Sequence, residues 1–177
     1  MSERVIMRKQ IVREYSFSEE VKSFETNESN RTERSKRLAR HLLYSFKGTI
    51  DDEDETLTDW FEEVEASFAG KYGPILKRHS FYIEEGKAII GSGIVSLFRE
   101  IPLIIYLAVD PEKRGQGLSK KILQQMLYSF ESSEYQEVYL VVTPGNFPAE
   151  KLYAKLGFKP VGTNWDKVMK SPLEKAN

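Results

Sequence analysis

Val109-Asp110-Pro111-Glu112-Lys113-Arg114-Gly115-Gln116-Gly117-Leu118-Ser119 is the stretch on which the reading of this chain turns. An apolar run, Ile101 to Val109, stops at Asp110-Pro111. It is apolar on both faces, which predicts a central, buried strand. Downstream, Leu118, Ile122, Met126 and Phe130 recur every fourth residue and predict a helix. Between strand and helix lies a turn with two glycines and a cation, Arg114. Glycine permits backbone conformations that a side chain forbids. The first N–H groups of a helix lack intrahelical partners, and the helix dipole adds positive potential there. Such a turn attracts phosphate, although Gly-x-Gly is also common as a purely structural turn. It is no Walker loop, because no Gly-Lys-Ser/Thr follows, and it lacks the third glycine of a dinucleotide fingerprint.

The elements on either side extend this plan. Phe81-Tyr82-Ile83, the turn Glu85-Gly86 and Ala88 to Leu97 predict a hairpin. Val138 to Thr143 reads as a strand, Pro148 opens a short helix, and Gly157 closes it. Phe158 to Val161 and Lys167 to Met169 are expected edge strands. The second half thus reads β-β-β-α-β-α-β, a mixed α/β layout. Upstream, residues 4–15 contain a first strand, and Ser18-Glu19-Glu20 reads as a helix start. Leu38, Leu42 and Phe46 mark a helix ending near Gly48, and Leu57, Phe61, Val64 and Phe68 another closed by Gly70. The five acids Asp51 to Glu55 between them read as a solvated loop.

Composition narrows the function classes. The 177 residues suit one domain, and 26 Lys+Arg against 27 Asp+Glu give a net charge of −1. That balance argues against a polycationic nucleic-acid binder. With no cysteine, disulfides, thiolate metal sites and cysteine nucleophiles are out. His41 and His79 have no ligand spacing around them, so no metal is expected and both read as surface or boundary residues. The longest apolar run falls far short of the ~20 residues that span a bilayer. Early charges (Glu3, Arg4, Arg8, Lys9) do not suit a secretory leader, so a cytoplasmic protein without membrane partners is expected.

Residues 146–158 read Asn-Phe-Pro-Ala-Glu-Lys-Leu-Tyr-Ala-Lys-Leu-Gly-Phe. Together with the glycine turn, this segment resembles the GNAT N-acetyltransferase superfamily. Arg114, Gly117 and Ser119 fill the places of the family's Arg/Gln-x-x-Gly-x-Gly/Ala pyrophosphate loop, with Ser119 where Gly or Ala is usual. Asn146, Ala149, Leu152, Tyr153, Lys155, Gly157 and Phe158 match its Asn…Ala…Leu-Tyr-x-Lys-x-Gly-Phe helix. The resemblance covers about residues 80–162.

The resemblance implies a central mixed sheet flanked by helices, with two parallel strands, 101–109 and 138–143, splayed apart to admit acetyl-CoA. Its pyrophosphate would lie on Arg114, Gly115, Gln116, Gly117, Leu118 and Ser119, and its pantetheine along the backbone of Leu107, Ala108 and Val109. Asn146, Ala149, Tyr153 and Lys155 would complete the cofactor site. Tyr153 would be the general acid toward the departing sulfur, since a phenol near pKa 10 keeps its proton at neutral pH. A base for the amine is sought in Glu84 or Glu100, with Tyr106 on the central strand. A small-molecule or peptide amine would enter over the helices of 18–70 and take the acetyl group directly, by a monomer or homodimer. Two rivals are a silent CoA-binding module and a nucleic-acid binder using the basic run Arg31, Arg34, Lys36, Arg37 and Arg40. That run lacks interleaved aromatics and reads first as a wet helix face.

Overall fold

The computed structural model describes residues 3–26 and 30–170. Seven strands form one sheet: β1 (Val5–Gln10), β2 (Lys22–Ser23), β3 (Phe81–Glu85), β4 (Ala88–Phe98), β5 (Ile101–Val109), β6 (Glu137–Val142) and β7 (Lys159–Gly162). Their spatial order is β2-β3-β4-β5-β6-β1-β7. Neighbours are antiparallel except β5 and β6, which run parallel. Helices α1 (Arg31–Phe46) and α2 (Leu57–Phe68) cover one face. Helices α3 (Leu118–Phe130) and α4 (Phe147–Lys155) cover the other, and α5 (Trp165–Val168) follows β7.

Alternation along β4 divides the core. Ile90 and Val95 pack toward α3, whereas Ile89 and Ile94 pack toward α1 and α2. Gly91 and Gly93 mark where α3 lies closest to the sheet. A Cβ at Gly93 would stand 2.3 Å from Met126 Sδ, and one at Gly91 2.7 Å from Ile122 Cδ1. Helix α1 starts where the Asn30 side chain accepts the Glu33 N–H at 3.2 Å. Helix α2 starts in a capping box: Thr56 Oγ1 accepts the Asp59 N–H at 3.1 Å, and Asp59 Oδ2 accepts the Thr56 N–H at 2.8 Å.

Several expectations need correction. Residues after Ser18 make a turn and the short strand β2, not a helix. The Ser18 N–H is taken by Gln125 Oε1 at 2.8 Å, and Val21 and Phe24 enter the cores on opposite faces of the sheet. A segment crossing the sheet edge in this way cannot wind into a helix there. The first strand stops at Gln10 rather than running to 15. Lys167 belongs to α5, whose cap is Asn164 accepting the Lys167 N–H at 3.0 Å, so no strand forms at 167–169. Strand β7 is the edge strand expected from 158–161, and it carries Pro160, which spoils further pairing.

Both histidines lie inside, with His41 2% and His79 5% exposed. His79 stacks on Phe130 at 4.1 Å and donates to Ser129 Oγ at 2.8 Å. The 51–55 acids are not merely solvated: Asp52 accepts the Gly48 N–H at 2.6 Å and Asp51 accepts the Thr143 hydroxyl at 2.6 Å. The basic run is only partly a wet face. Arg31 pairs with Glu65, Arg37 with Glu84, and Arg34 lies 4.2 Å from the Phe68 ring centre.

Candidate active site

The site begins with an irregularity in β5. Ile94 of β4 is opposite Tyr106, but Val95 is opposite Ile104, so Ile105 is an extra residue. Such a bulge bends its strand and re-aims the groups beyond it. On its other side β5 pairs with β6 only at Leu103–Tyr139 and Ile104–Leu140. Past those positions the two parallel strands share no ladder, although β5 stays paired to β4 and β6 to β1. The gap opens a cleft of about 700 Å³.

Leu107, Thr143, Asn146, Ala149 and Tyr153 line the cleft from the β5, β6 and α4 side. Tyr153 is nearly buried, and its hydroxyl makes no hydrogen bond to any described residue. Burial first, and the charge of Asp51 second, push the phenol up to about 12. Asn146 caps no backbone group with its side chain, so its amide is available to a ligand. Ala108 and Val109 are buried in the sheet rather than in the cleft wall, and Lys155 is exposed on the outside of α4. Of the expected pantetheine segment, Leu107 alone reaches the wall.

The opposite wall comes from α1, α2 and the segments around them: Phe46, Trp60, Glu63, Lys71 and Tyr72, with Tyr106 of β5. Glu63 is its hub, accepting from Lys71 Nζ at 2.6 Å, the Tyr72 hydroxyl at 2.6 Å and the Tyr106 hydroxyl at 2.8 Å. Burial raises its carboxyl, but those three donors outweigh it and hold the group below its ordinary value. Burial above all drives the Tyr106 phenol well up. Glu63 was not legible as a site residue. Its only signal is helical spacing, three after Trp60 and four before Ser67, on a helix that reads as core.

Neither carboxylate expected to act as base lies on the cleft wall. Glu84 is bound by Lys22 and by Arg37 at 2.7 Å, and those two cations hold its carboxyl below the ordinary range. Glu100 sits exposed in the β4–β5 turn at φ +68°. The strand-end location that suggested both is real, but there Glu84 is tied up by two cations and Glu100 faces water.

The glycine turn follows β5 directly and also lies outside the cleft wall. Gly115 and Gly117 have φ of +80° and +76°, conformations costly for any residue with a Cβ. Open space surrounds both, so conformation rather than crowding demands glycine here. Helix α3 starts at Leu118 without a side-chain cap, leaving its first N–H groups for a ligand. Arg114 is engaged elsewhere: its Nη2 donates to the Ser45 carbonyl at 2.7 Å.

A sheet parted between two parallel strands beside an uncapped helix start defines a mixed α/β class with an open central cleft. Solved structures share the architecture. They include a GCN5-related N-acetyltransferase from Sphaerobacter thermophilus (TM-score 0.66, 16% identity, 90% of this chain and 48% of that one). Another is the ribosomal-protein-S18-alanine N-acetyltransferase from Escherichia coli (TM-score 0.57, 19% identity, 78% of this chain and 76% of that one). At these identities the likeness speaks for the fold alone. Among curated relatives, human N-acetyltransferase 8B is 36% identical over 62 residues, 35% of this chain and 27% of that protein. The ribosomal protein bS18-alanine N-acetyltransferase of Haemophilus ducreyi is 30% identical over 73 residues, 41% of this chain and 50% of that protein. The matched stretches thus span between about a quarter and a half of those relatives' lengths. The acetyltransferase (GNAT) family model matches residues 39–158, and the chain belongs to that family.

Proposed function

We propose that this protein transfers an acetyl group from acetyl-CoA directly to a primary amine. One observation carries the reading: a proton-retaining, unbonded Tyr153 hydroxyl stands in a cleft opened by the parting of β5 and β6. The residues present fit the co-substrate. The uncapped start of α3 and the loop from Arg114 to Ser119 suit its pyrophosphate, and the unpaired edges of β5 and β6 suit its amide-bearing arm. Asn146 and Ala149 border that arm. Acetyl-CoA supplies the activated thioester. Tyr153 donates its hydroxyl hydrogen toward the sulfur as it leaves with negative charge. Transfer without an acyl-enzyme fits a chain that has no cysteine.

The acceptor enters past Phe46, Trp60 and Glu63. A carboxylate held ionised attracts an ammonium, yet a depressed pKa makes it a weak proton acceptor. The amine therefore sheds its proton to water at the open mouth, not to a dedicated base. Relatives named as bS18-alanine N-acetyltransferases support placing peptide N-termini beside small amines in an acceptor screen.

Calorimetric titration with acetyl-CoA, with dephospho-CoA and ATP as controls, tests the reading. Micromolar binding weakened by Gly117→Glu is expected. A folded protein that gives no heat with acetyl-CoA overturns it.

A further inference from the structure

The mechanism above leaves a buried polar network unused. His41 of α1 is fully enclosed, and its Nδ1–H donates to Asp110 Oδ1 at 2.5 Å. A carboxylate can only accept, which fixes the proton on that nitrogen. The other ring nitrogen, Nε2, pairs with the Ser92 hydroxyl of β4 at 2.9 Å. One turn further along α1, Ser45 Oγ lies 3.4 Å from His41 Nδ1 and 3.5 Å from Asp110 Oδ1. The Ser45 carbonyl accepts Arg114 Nη2 at 2.7 Å.

Asp110 and Arg114 are the root of the glycine turn. The backbone between them is a short 3-10 turn, in which the Lys113 N–H donates to the Asp110 carbonyl at 2.9 Å. Its tip has no such support. Gly115 and Gly117 hold positive φ, and nothing lies within 4 Å of a Cβ built on either. Packing therefore does not set the course of residues 115–117, which run from the anchors at the root to Leu118, where α3 packs onto the core.

We propose that His41 is a positioning residue for acetyl-CoA: through Asp110, with Ser45 and Arg114 alongside, it fixes the loop that presents the α3 amides to the pyrophosphate. The inference rests on the acetyl-CoA reading of that loop. A general packing role for a buried histidine would not care which ring nitrogen is kept. A positioning role does. His41→Asn places an amide N–H near the Nδ1 position and keeps the bond to Asp110. His41→Gln reaches instead toward Ser92 and forfeits Asp110.

The test is acetyl-CoA affinity by calorimetry with KM and kcat, alongside hydrogen exchange of the 115–119 amides in the free protein. His41→Gln and Asp110→Ala are each expected to raise Kd and KM for acetyl-CoA about tenfold, or about 1.4 kcal/mol. Both should leave kcat at saturation within about twofold and speed exchange at 115–119. His41→Asn should stay within about threefold of the parent, and the Gln/Ala double variant should be no worse than either single. Equal losses in the Asn and Gln variants, or unchanged loop exchange in Asp110→Ala, overturn the proposal. Asp110→Ala alters a partly exposed side chain, so it keeps the test open if a His41 variant fails to fold. Should the parent not bind acetyl-CoA while loop exchange still responds as stated, the functional reading fails, and with it the role toward acetyl-CoA, while the anchoring of the loop by His41 and Asp110 stands.

Discussion

Replacing Tyr153 by Phe removes one oxygen from the cleft and little else. The ring stays, 6.0 Å from Phe158, and no hydrogen bond to a described residue is lost because the hydroxyl makes none among them. Stability should therefore hold, with the thermal midpoint moving by no more than about 2 °C. The kinetic effect follows from the position of the phenol's pKa. At about 12 it stands far above working pH, so full proton transfer is uphill and the hydroxyl acts chiefly as a hydrogen-bond donor to the nascent thiolate. A hydrogen bond to a charged group contributes roughly 1.5–3 kcal/mol, which converts to a fall in kcat of about 10- to 150-fold. KM and Kd for acetyl-CoA should change by less than about threefold, since the ground-state sulfur carries no charge to stabilise. The assay is thiol release at saturating acetyl-CoA, with calorimetry on the same samples. A kcat within about threefold of the parent would refute the assignment. A loss residing wholly in Kd would turn Tyr153 into a binding residue.

Three further expectations come from other parts of the molecule. The pH profile of kcat/KM for the acceptor should climb with unit slope toward the acceptor amine's own pKa, and Glu63→Gln should raise the acceptor KM without displacing that limb; a limb near pH 7 that vanishes in the variant would identify Glu63 as a base after all. Gly93→Ala should destabilise by about 1–3 kcal/mol in urea unfolding, because the new methyl falls 2.3 Å from Met126 Sδ and 2.9 Å from Ile122 Cγ2; an unchanged midpoint would mean that α3 is not seated as described. His79 is held down to about 4 by burial and by Arg78, so the folded state disfavours its charged form. The stability this gives is complete above about pH 6.5 and lost as pH falls toward 4, by up to about 3 kcal/mol. His79→Gln should flatten that part of the urea-midpoint curve, and parallel curves would sink the account.

The second half of the chain was nearly transparent to reading because its elements are locally consistent. Ile101 to Val109 is apolar on both faces, the 118–130 stripe repeats every four residues, and Gly157 stops its helix at φ +93°. Tyr153, Asn146 and the Arg114–Ser119 turn sit in two contiguous patterns that resemble the GNAT family's, and that resemblance brought them forward. The other wall of the cleft was opaque for the converse reason. Glu63, Tyr72 and Tyr106 meet only after α2 has packed across β5, and no short motif records a contact over 43 residues. Segment 18–24 misled because its cap-like Ser-Glu-Glu answers to a partner 107 residues away, Gln125, rather than to the next turn. His41 misled similarly: on paper a lone histidine on a basic helix, in the fold a bridge to Asp110 and Ser92.

The two-rung joint between β5 and β6 has a consequence for the sheet as a whole. It divides the seven strands into a block of four, β2-β3-β4-β5, and a block of three, β6-β1-β7, each internally zipped by antiparallel ladders. What joins the blocks is that seam, the helices laid over it and the core side chains that both blocks share. A molecule that lies in the opening and bonds to both free edges acts as a missing strand, completing the sheet it occupies. Occupancy and cohesion are then one quantity, and filling the cleft should make the two blocks melt as one.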